Sequence, residues 1–287
     1  MPGSAYTQAV NSIVIDTGNL EEFIRQHPRL VVLTGAGISA SSGIPTYRDK
    51  SGKWLYSEPI QHRDFLQSGH TRRRYWARSM RGWPNIRDAA PNGAHHALAA
   101  LERQGHIELL ITQNVDRLHQ RAGSRGVVDL HGRLDRVICL GCEAGLPREQ
   151  VQQQLIARNS HQLDTPAVAG PDGDTQVYEA LADTLTLPDC PECGADLMPD
   201  VVFFGGTVPR VRVALCQDHL RRSDGLLVVG SSLQVYSGFR FCRSAHALGK
   251  PVVLINPGQT RADGLASLKL KSPCEPLLQS VATRLSR

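Results

Sequence analysis

The sequence lacks a long apolar run and a strong excess of charge of either sign. No apolar run among its 287 residues is long enough for a membrane-spanning helix, so we expect no membrane partner. The net charge is only +5, and the basic residues are scattered except at residues 72–74. Because nucleic-acid-binding surfaces concentrate positive charge, we expect no nucleic-acid partner, and the basic run is more simply a solvated helix face.

Targeting signals are also missing from the first residues. Residues 1–11 are too polar for a signal peptide, and the first arginine is Arg25, which argues against a transit peptide. We therefore expect a cytoplasmic protein. With 41% hydrophobic and 21% charged residues, the composition excludes disordered and fibrous proteins, and the length suits one large domain or one domain with an insertion.

What the sequence does contain is an alternation of short apolar runs with helical patterns. Strands are predicted at residues 30–33, 107–111, 127–130, 201–204, 225–229 and 251–255. Helices are predicted at residues 20–26, 72–80, 94–101, 147–157 and 209–221. This alternation predicts an α/β fold with a Rossmann-like, doubly wound parallel sheet, whose ligand lies at the carboxyl ends of the strands.

A glycine loop follows the first of these strands. Gly35 and Gly37 allow a sharp turn and a close approach of ligand to backbone. Ser39 is placed to cap a following helix, whose first N–H groups would bind a pyrophosphate. Spacing alone leaves a plain tight turn equally good, because the third glycine and the later acid of the dinucleotide fingerprint are missing.

Polar residues follow the next two strands. Gln113, Asn114 and Asp116 come after the strand at 107–111, and His131 comes after the strand at 127–130. A helix N-terminus capped by Asn114 or Asp116 would by itself be the simpler explanation of the first group. A lone histidine is more often structural than catalytic, although its ordinary pKa of about 6.5 suits proton abstraction at neutral pH.

Four cysteines form two Cys-x-x-Cys pairs. The first pair is Cys139 and Cys142, and the second is Cys190 and Cys193. Four thiolates in two close pairs favour one closed, tetrahedral structural zinc site. A disulfide or a redox motif is a weaker explanation, since we expect a reducing compartment and redox chemistry does not need two matched pairs.

These motifs together resemble the sirtuins, the NAD-dependent protein deacylases. The glycine loop continues into Gly-Ile-Pro-Thr-Tyr-Arg at 43–48, and the polar group reads Thr-Gln-Asn-Val-Asp-Arg-Leu-His at 112–119. The Leu-His-Gly element at 130–132, the cysteine pairs, the segment 198–205 and the loops at 230–232 and 255–256 follow in the family's order. Two departures stand out. Tyr47 replaces the usual Phe, and Gly206 replaces an acid, which puts a role for that side chain in doubt.

The resemblance implies the site residues. NAD would contact Gly35, Ala36, Gly37, Ser39, Pro45, Tyr47, Arg48, Gln113, Asn114, Asp116, Gly230, Ser231, Ser232, Asn256, Gly258 and Cys274. His131 would be the general base, with Gln113 and Asn114 also in the catalytic set. Cys139, Cys142, Cys190 and Cys193 would hold one structural zinc. Substrate peptide would add as an extra strand beside Val201 and Phe203.

The resemblance also implies a reaction. The carbonyl oxygen of an acyl-lysine would attack C1′ of the nicotinamide ribose and expel nicotinamide. His131 would then deprotonate a ribose hydroxyl, and the acetyl or longer acyl group would pass to ADP-ribose. Two other functions stay open, namely protein mono-ADP-ribosylation and a zinc-ribbon interaction module that only senses NAD. A hydride-transfer dehydrogenase fits less well, because its third glycine and ribose-binding acid are missing.

Finer features of the sequence resemble class II sirtuins, the branch with a mitochondrial lipoamidase and ADP-ribosyltransferase. These are the segments 75–84, 171–174 and 230–238, and the expected protein is a bacterial-type member. Tyr75 and Arg78 match a Tyr-x-x-Arg pair that binds acidic acyl groups, although Tyr75 could instead pack inward and Arg78 face solvent. We expect a catalytic domain at 1–137 and 198–287, covered over the site by 50–85, and a zinc module at 138–197.

Overall fold

The computed structural model describes residues 3–47, 49, 53, 55, 59–160, 168–169, 175–176 and 180–286. Arg48 and the insert at 171–174 lie outside the described residues. Within the described ranges, no helix combines the length and the apolar character needed to cross a membrane.

The helices and strands are numbered in chain order. The helices are α1 (Gly3–Gln26), α2 (His62–Gln67), α3 (Gly69–Asp88), α4 (Gly93–Arg103), α5 (Leu118–Arg121), α6 (Arg148–Arg158), α7 (Ala180–Thr184), α8 (Arg210–Arg222), α9 (Tyr236–Ala247) and α10 (Cys274–Leu285). The strands are β1 (Leu30–Thr34), β2 (Ile107–Thr112), β3 (Val127–Asp129), β4 (Gly132–Cys139), β5 (Gly145–Pro147), β6 (Val168–Ala169), β7 (Thr175–Gln176), β8 (Leu197–Val201), β9 (Gly225–Val229), β10 (Val252–Ile255) and β11 (Leu268–Leu270).

Six strands form one parallel sheet in the order β11-β10-β9-β1-β2-β3. The chain adds β2 and β3 on one side of β1 and later returns to add β9, β10 and β11 on the other. The strand order therefore reverses between β1 and β9, and ligands bind at the carboxyl ends of strands at such a reversal. The predicted doubly wound parallel sheet is confirmed.

The apolar run of β1 explains why helices cover both faces of this sheet. All five residues of β1 are buried. Val32 packs in a core with residues of α1, α4 and α10, whereas Val31 and Leu33 pack in a second core with residues of α8 and α9. Because successive side chains of a strand point to opposite faces, a strand covered on both sides needs an unbroken apolar run.

A smaller antiparallel sheet, in the order β5-β4-β8, carries the first cysteine pair at the end of β4. Trp76 of α3 and Val151 and Leu155 of α6 pack in one core with Val137 of β4. Trp76 is almost fully buried, and its indole N–H donates to the Leu197 carbonyl at 3.2 Å. The strands β4 and β8 each cross one of the proposed domain boundaries. The predicted domain limits stay predictions.

Several predicted elements have different limits in the structure, among them the first helix and the strand predicted at 201–204. The first helix does not begin at residue 20 but extends back to Gly3, and Asp16 within it accepts a hydrogen bond from the Ser272 backbone N–H at 3.1 Å. The predicted strand at 201–204 is wrong, because β8 ends at Val201. Beyond that residue the Val202 N–H donates to the His131 carbonyl, and the chain turns at Gly205, whose φ is 73°.

Candidate active site

Loops from the carboxyl ends of five parallel strands meet at one cavity of about 610 Å³. These are the loops after β1, β2, β3, β9 and β10, as the alternating pattern of the sequence predicts. The cavity is lined by sixteen of the predicted site residues: Gly35, Ala36, Gly37, Tyr47, Tyr75, Gln113, Asn114, His131, Val201, Phe203, Gly230, Ser231, Ser232, Asn256, Gly258 and Cys274.

The predicted glycines let the loops after β1 and β9 touch. The Gly37 N–H donates to the Gly230 carbonyl at 2.8 Å, and a Cβ on Gly37 would lie 2.8 Å from the same oxygen. A Cβ on Gly35 would lie 2.8 Å from that of Ser231, and Gly230 has a φ of 62°. Glycine is therefore needed here for the close approach of two backbones.

The expected helix after the glycine loop does not form. Two short 3-10 turns, Ala36–Ile38 and Ala40–Ser42, follow instead, and Ser39 between them makes no side-chain cap. Its hydroxyl donates to Asp116 Oδ2 at 2.7 Å, so the side chain turns away from the backbone that it was predicted to cap. The prediction of a helix capped by Ser39 was wrong.

Ser39, Asn114 and Asp116 form a buried polar group under the cavity. The Asn114 amide donates to Ser39 Oγ at 3.0 Å and to the Gly35 carbonyl at 3.3 Å. Asp116 Oδ1 accepts from the Leu118 backbone N–H at 3.0 Å. Burial raises the pKa of Asp116, while the donors from Leu118 and Ser39 oppose that rise. The group ties the loop after β2 to the glycine loop, and only Asn114 of the three lines the cavity.

His131 is held in one tautomer. Its Nδ1 lies 3.0 Å from the Gln113 carbonyl, and because a carbonyl only accepts, Nδ1 carries the proton. Nε2 then has the lone pair and accepts from the Ser237 hydroxyl at 2.7 Å. Burial lowers the pKa of His131 to about 4, although the bond to Gln113 opposes that change. His131 is therefore a neutral imidazole at physiological pH, with its basic nitrogen fixed in place.

Gln113 joins the loops after β2 and β9. Its side-chain amide donates to Ser231 Oγ at 2.7 Å and to the Thr34 carbonyl at 3.3 Å. A Cβ on Gly238 would lie 2.6 Å from Gln113 Oε1, so the start of α9 packs closely against this amide. The same residue thus supports His131 with its carbonyl and the β9 loop with its side chain.

Four predicted residues do not line the cavity, as far as the chain is described. Ser39 and Asp116 lie beneath it, and Pro45 and Arg78 also lie outside its wall. Arg48 lies outside the described residues. On α3 it is Tyr75 and Ser79, one turn apart, that line the cavity, and Tyr75 packs edge-on against Phe203 with ring centres 5.3 Å apart.

The four predicted metal ligands come together at the end of β4. The Sγ atoms of Cys139, Cys142, Cys190 and Cys193 all lie within 4.8 Å of one another. Cys139 is 3.4 Å from Cys193, and Cys142 is 3.7 Å from Cys190. A tetrahedral zinc with bonds of about 2.3 Å to sulfur needs such separations, and four thiolates leave no open position. The cluster is compatible with one structural zinc.

Three residues at or behind the cavity wall were not predicted from the sequence, namely Ser237, Ser79 and Arg148. Ser237 bonds to His131, Ser79 lines the cavity, and Arg148 lies behind Ser79 at a distance of 3.2 Å. The first two lie in segments that were singled out only for their likeness to one branch of a family. For Arg148 the sequence gives no signal, because an arginine at the start of a helix is most often exposed.

Known proteins are similar to this chain along most of its length. A sequence model of the Sir2 family matches residues 35–237. The NAD-dependent protein deacetylase of Xanthomonas campestris pv. campestris (strain B100) is 53% identical over 259 residues, which are 90% of this chain and 88% of that protein. NAD-dependent protein deacetylase 2 of Bradyrhizobium diazoefficiens is 52% identical over 260 residues, 91% of this chain and 95% of that protein.

The fold is similar to solved structures as well. A structure described as Sir2 with a p53 peptide and NAD+ has a TM-score of 0.75 and is 30% identical in sequence. The similarity covers 93% of this chain and 97% of that one.

Proposed function

The chain belongs to the Sir2 family, the sirtuins, and from this premise we propose that it is an NAD-dependent protein lysine deacylase. Its relatives are named NAD-dependent protein deacetylases, and a solved relative is a complex with a peptide and NAD+. The observation that carries the proposal is the single cavity that contains the glycine loop, His131 and the segment 201–203.

The shape of the cavity supports NAD as the co-substrate. Its volume of about 610 Å³ is within the usual range for small-molecule sites, and the first residues after β1 and β9 give its wall only small side chains, namely those of Gly35, Ala36, Gly37, Gly230, Ser231 and Ser232. When bound, NAD supplies nicotinamide as the leaving group and a ribose hydroxyl as the acyl acceptor. Gln113 and Asn114 line the part of the wall next to His131, and we assign them to the nicotinamide ribose.

His131 is assigned the role of general base. Its Nε2 has the lone pair and lies 2.7 Å from the Ser237 hydroxyl, so it is placed to accept a proton from a hydroxyl. The fixed Nδ1–H bond to Gln113 supports the positive charge that forms on the ring when Nε2 takes that proton. Because burial lowers the pKa of His131 to about 4, the ring is neutral at neutral pH and can accept that proton.

The acyl-lysine is assigned to the part of the cavity beside β8. Val201, Phe203 and Tyr75 line it, and the Val202 N–H bonds to the His131 carbonyl at 2.8 Å. This bond keeps the segment next to the proposed base. An extended peptide that added along this segment would be held through its backbone, which suits an enzyme that accepts lysines in different sequences.

The zinc is assigned a structural role. A site closed by four thiolates has no position for substrate, so the metal would hold β4 and the turn at Cys190–Cys193 together without taking part in the reaction. Reduced thiols in such a site support a reducing compartment, and we propose the cytoplasm. The likeness to class II sirtuins and the preferred acyl group stay predictions.

Product analysis tests the proposed function. The purified protein is incubated with NAD and an acetyl-lysine peptide, and mass spectrometry measures the peptide, nicotinamide and O-acetyl-ADP-ribose. We expect deacetylated peptide, nicotinamide and O-acetyl-ADP-ribose in equal amounts. Transfer of labelled ADP-ribose to protein without loss of the acyl group would show a mono-ADP-ribosyltransferase instead, and no consumption of NAD would show a binding module.

A further inference from the structure

Three arginines surround one exposed tyrosine at the start of α9. Tyr236 is 48% exposed, and the guanidinium groups of Arg240 and Arg261 lie 5.3 and 5.9 Å from the centre of its ring. The Arg243 guanidinium donates to the Tyr236 hydroxyl at 3.4 Å, and that of Arg261 lies 4.5 Å from the ring centre of Phe239. We call these five residues the arginine cluster. Stacking on the rings holds the guanidinium groups in place at the surface.

The positive charge of the arginine cluster is not neutralised within the described part of the chain. The nearest acid in sequence is Asp263, and its carboxylate bonds to Lys269 and Thr260. Arg261 donates to the Gln234 carbonyl at 3.2 Å, which leaves its charge unpaired. As far as the chain is described, none of the three arginines pairs with a carboxylate. Neighbouring like charges repel one another, so an anionic partner would stabilise the cluster.

The arginine cluster lies at the mouth of the cavity. Gln234 and Val235, which come directly before Tyr236, line the cavity and are exposed to solvent. Ser237, which comes directly after it, bonds to His131. The cluster therefore begins within one helical turn of the proposed base, on the outer side of the same helix.

The charge of the cluster also reaches the proposed base. Burial is the largest cause of the lowered pKa of His131, and the positive charges of Arg212 and Arg240 lower this pKa further. Because the effect of a charge falls with distance and with screening by water, Arg240 lies close to the reaction centre. A ligand bound to the cluster would thus lie beside the place of the reaction.

This position favours a protein substrate as the partner. Val201 and Phe203, to which we assign the acyl-lysine, line the same cavity. A peptide whose lysine enters the cavity must pass over its mouth, where the residues next to that lysine come within reach of long arginine side chains. Arginine binds a carboxylate through two parallel, charge-assisted hydrogen bonds. A nucleic acid fits less well, because the cluster covers only residues 236–243 and 261, whereas nucleic-acid surfaces follow a row of phosphates.

We infer that the arginine cluster is a docking site for acidic side chains that flank the acyl-lysine, so that the protein selects acyl-lysines in acidic sequences. The inference rests on the proposed deacylase function and deepens it by naming the class of protein substrate. It concerns residues at the mouth of the cavity and not the acyl group inside it. One acyl group therefore serves for the whole test.

Two peptides with a central acetyl-lysine test the inference. One carries glutamate at the two positions on each side of the lysine, and the other carries glutamine there, so that they differ in charge but hardly in shape. The measurement is kcat/KM for each peptide, with NAD at saturation. We expect wild type to prefer the glutamate peptide about tenfold, mainly through a lower KM, because the contacts lie away from the reacting bond. The preference should shrink as ionic strength rises, since salt screens exposed charges.

Two variants of Arg243 should lower the preference in steps. Arg243→Gln removes one charge of the cluster and Arg243→Glu reverses it, so the ratio of glutamate to glutamine peptide should fall to about three and about one. Arg243 is exposed and does not line the cavity, so the fold should stay intact, as circular dichroism would show.

Arg221→Gln is the matched control, because it removes an equal charge at the other end of the sheet. Arg221 lies near the end of α8, just before the amino end of β9, whereas the cavity lies at the carboxyl ends of the strands. Its partner Asp218 keeps an ion pair with Arg222 at 3.0 Å. We expect this variant to keep the wild-type ratio of the two peptides.

Equal kcat/KM for the two peptides in wild type would overturn the inference. So would a preference that Arg221→Gln lowers as much as Arg243→Gln, because it would then reflect only the net charge of +5. A preference unchanged in Arg243→Glu would also overturn it, since acidic residues would then be recognised elsewhere.

A labelled single-stranded oligonucleotide tests the other class of partner by fluorescence anisotropy. Tight binding that Arg243→Glu abolishes, together with equal turnover of the two peptides, would show that the cluster binds nucleic acid and would overturn the inference. All outcomes of the peptide test require turnover of at least one peptide. No turnover of either peptide with NAD would instead refute the proposed function itself.

Discussion

The Nε2 atom of His131 lies 2.7 Å from the hydroxyl oxygen of Ser237, at the start of α9. Because Nδ1 of the same ring is bonded to the Gln113 carbonyl, the hydroxyl of Ser237 must be the donor and the imidazole the acceptor. Ser237 thus presents its proton to the nitrogen that would accept one from a substrate hydroxyl. The geometry makes His131 the residue on which the proposed reaction depends most directly.

His131→Ala should abolish NAD-dependent deacylation while the fold stays intact. The loss of a general base is expected to lower kcat by about 10²-fold or more. The measurement is kcat with an acetyl-lysine peptide, together with calorimetric binding of NAD to show that the nucleotide site survives. A variant with near wild-type kcat would show that the proton is accepted elsewhere.

His131 should stay in its neutral, basic form well below pH 7, so the activity should persist there. The folded-state pKa is lowered to about 4, so the neutral imidazole persists above that pH and is lost only as the pH falls through it. We therefore expect kcat/KM to show no acid limb at the ordinary histidine pKa of about 6.5. The profile is measured from about pH 3.5 to 8, so that a limb near the lowered pKa of about 4 is included, and circular dichroism at each pH controls for unfolding.

Ser237→Ala should raise the pKa that governs this acid limb. The Ser237 hydroxyl donates to the neutral form of His131, and a hydrogen bond to the neutral form disfavours protonation. Removing it should shift the limb of kcat/KM toward neutral pH, an effect that mere loss of packing would not produce. A limb at the wild-type pH with a uniformly lower rate would contradict this role for Ser237.

Much of the fold and site could be predicted because its signals are local in the sequence. The parallel strands are unbroken apolar runs, and the loops after them carry glycines and polar side chains that the topology brings to one edge. The four cysteines are also local, since each pair is set by its own short turn. The pattern Cys-x-x-Cys, found twice, was enough to predict that the four cysteines come together, and their Sγ atoms lie within 4.8 Å of one another.

The remaining features depend on contacts between distant segments. Arg148 is buried only because Trp76 and Trp83 from α3 lie against it, and nothing in the sequence around Arg148 indicates this. Likewise, the capped helix after the glycine loop was wrong because Ser39 bonds to Asp116 from another strand's loop. The end of β8 was missed since the apolar run continues through Phe204 while its pairing with β4 stops at Val201.

The protein should bind one zinc per chain through its four clustered cysteines, and loss of the zinc should affect stability before activity. Cys190→Ser removes one ligand, so metal analysis should show less zinc, and thermal unfolding should occur at a lower temperature. Cys216→Ala is the control, because Cys216 is buried in the core between the main sheet and α8 and should leave zinc content unchanged. A metal-free protein that is folded and fully active would refute the site.

Gly37→Ala should weaken NAD binding and stability together. Its new Cβ would lie 2.8 Å from the Gly230 carbonyl oxygen, which is backbone and can move only if the two loops separate. Forcing this contact should cost about 1–3 kcal/mol in the free energy of unfolding and should raise KM for NAD. Denaturant titration and steady-state kinetics measure the two effects.

Gly18→Ala in α1 is the matched control for Gly37→Ala, since a Cβ at Gly18 meets no atom within 4 Å. Replacing a helical glycine with alanine at such an open position should stabilise the protein by about 0.5–1 kcal/mol and leave the KM for NAD unchanged. The two variants carry the same chemical change, so any difference between them comes from the space at each position. If Gly37→Ala kept the wild-type KM for NAD and unfolding midpoint, the close approach of the loops after β1 and β9 would not be needed for the nucleotide site.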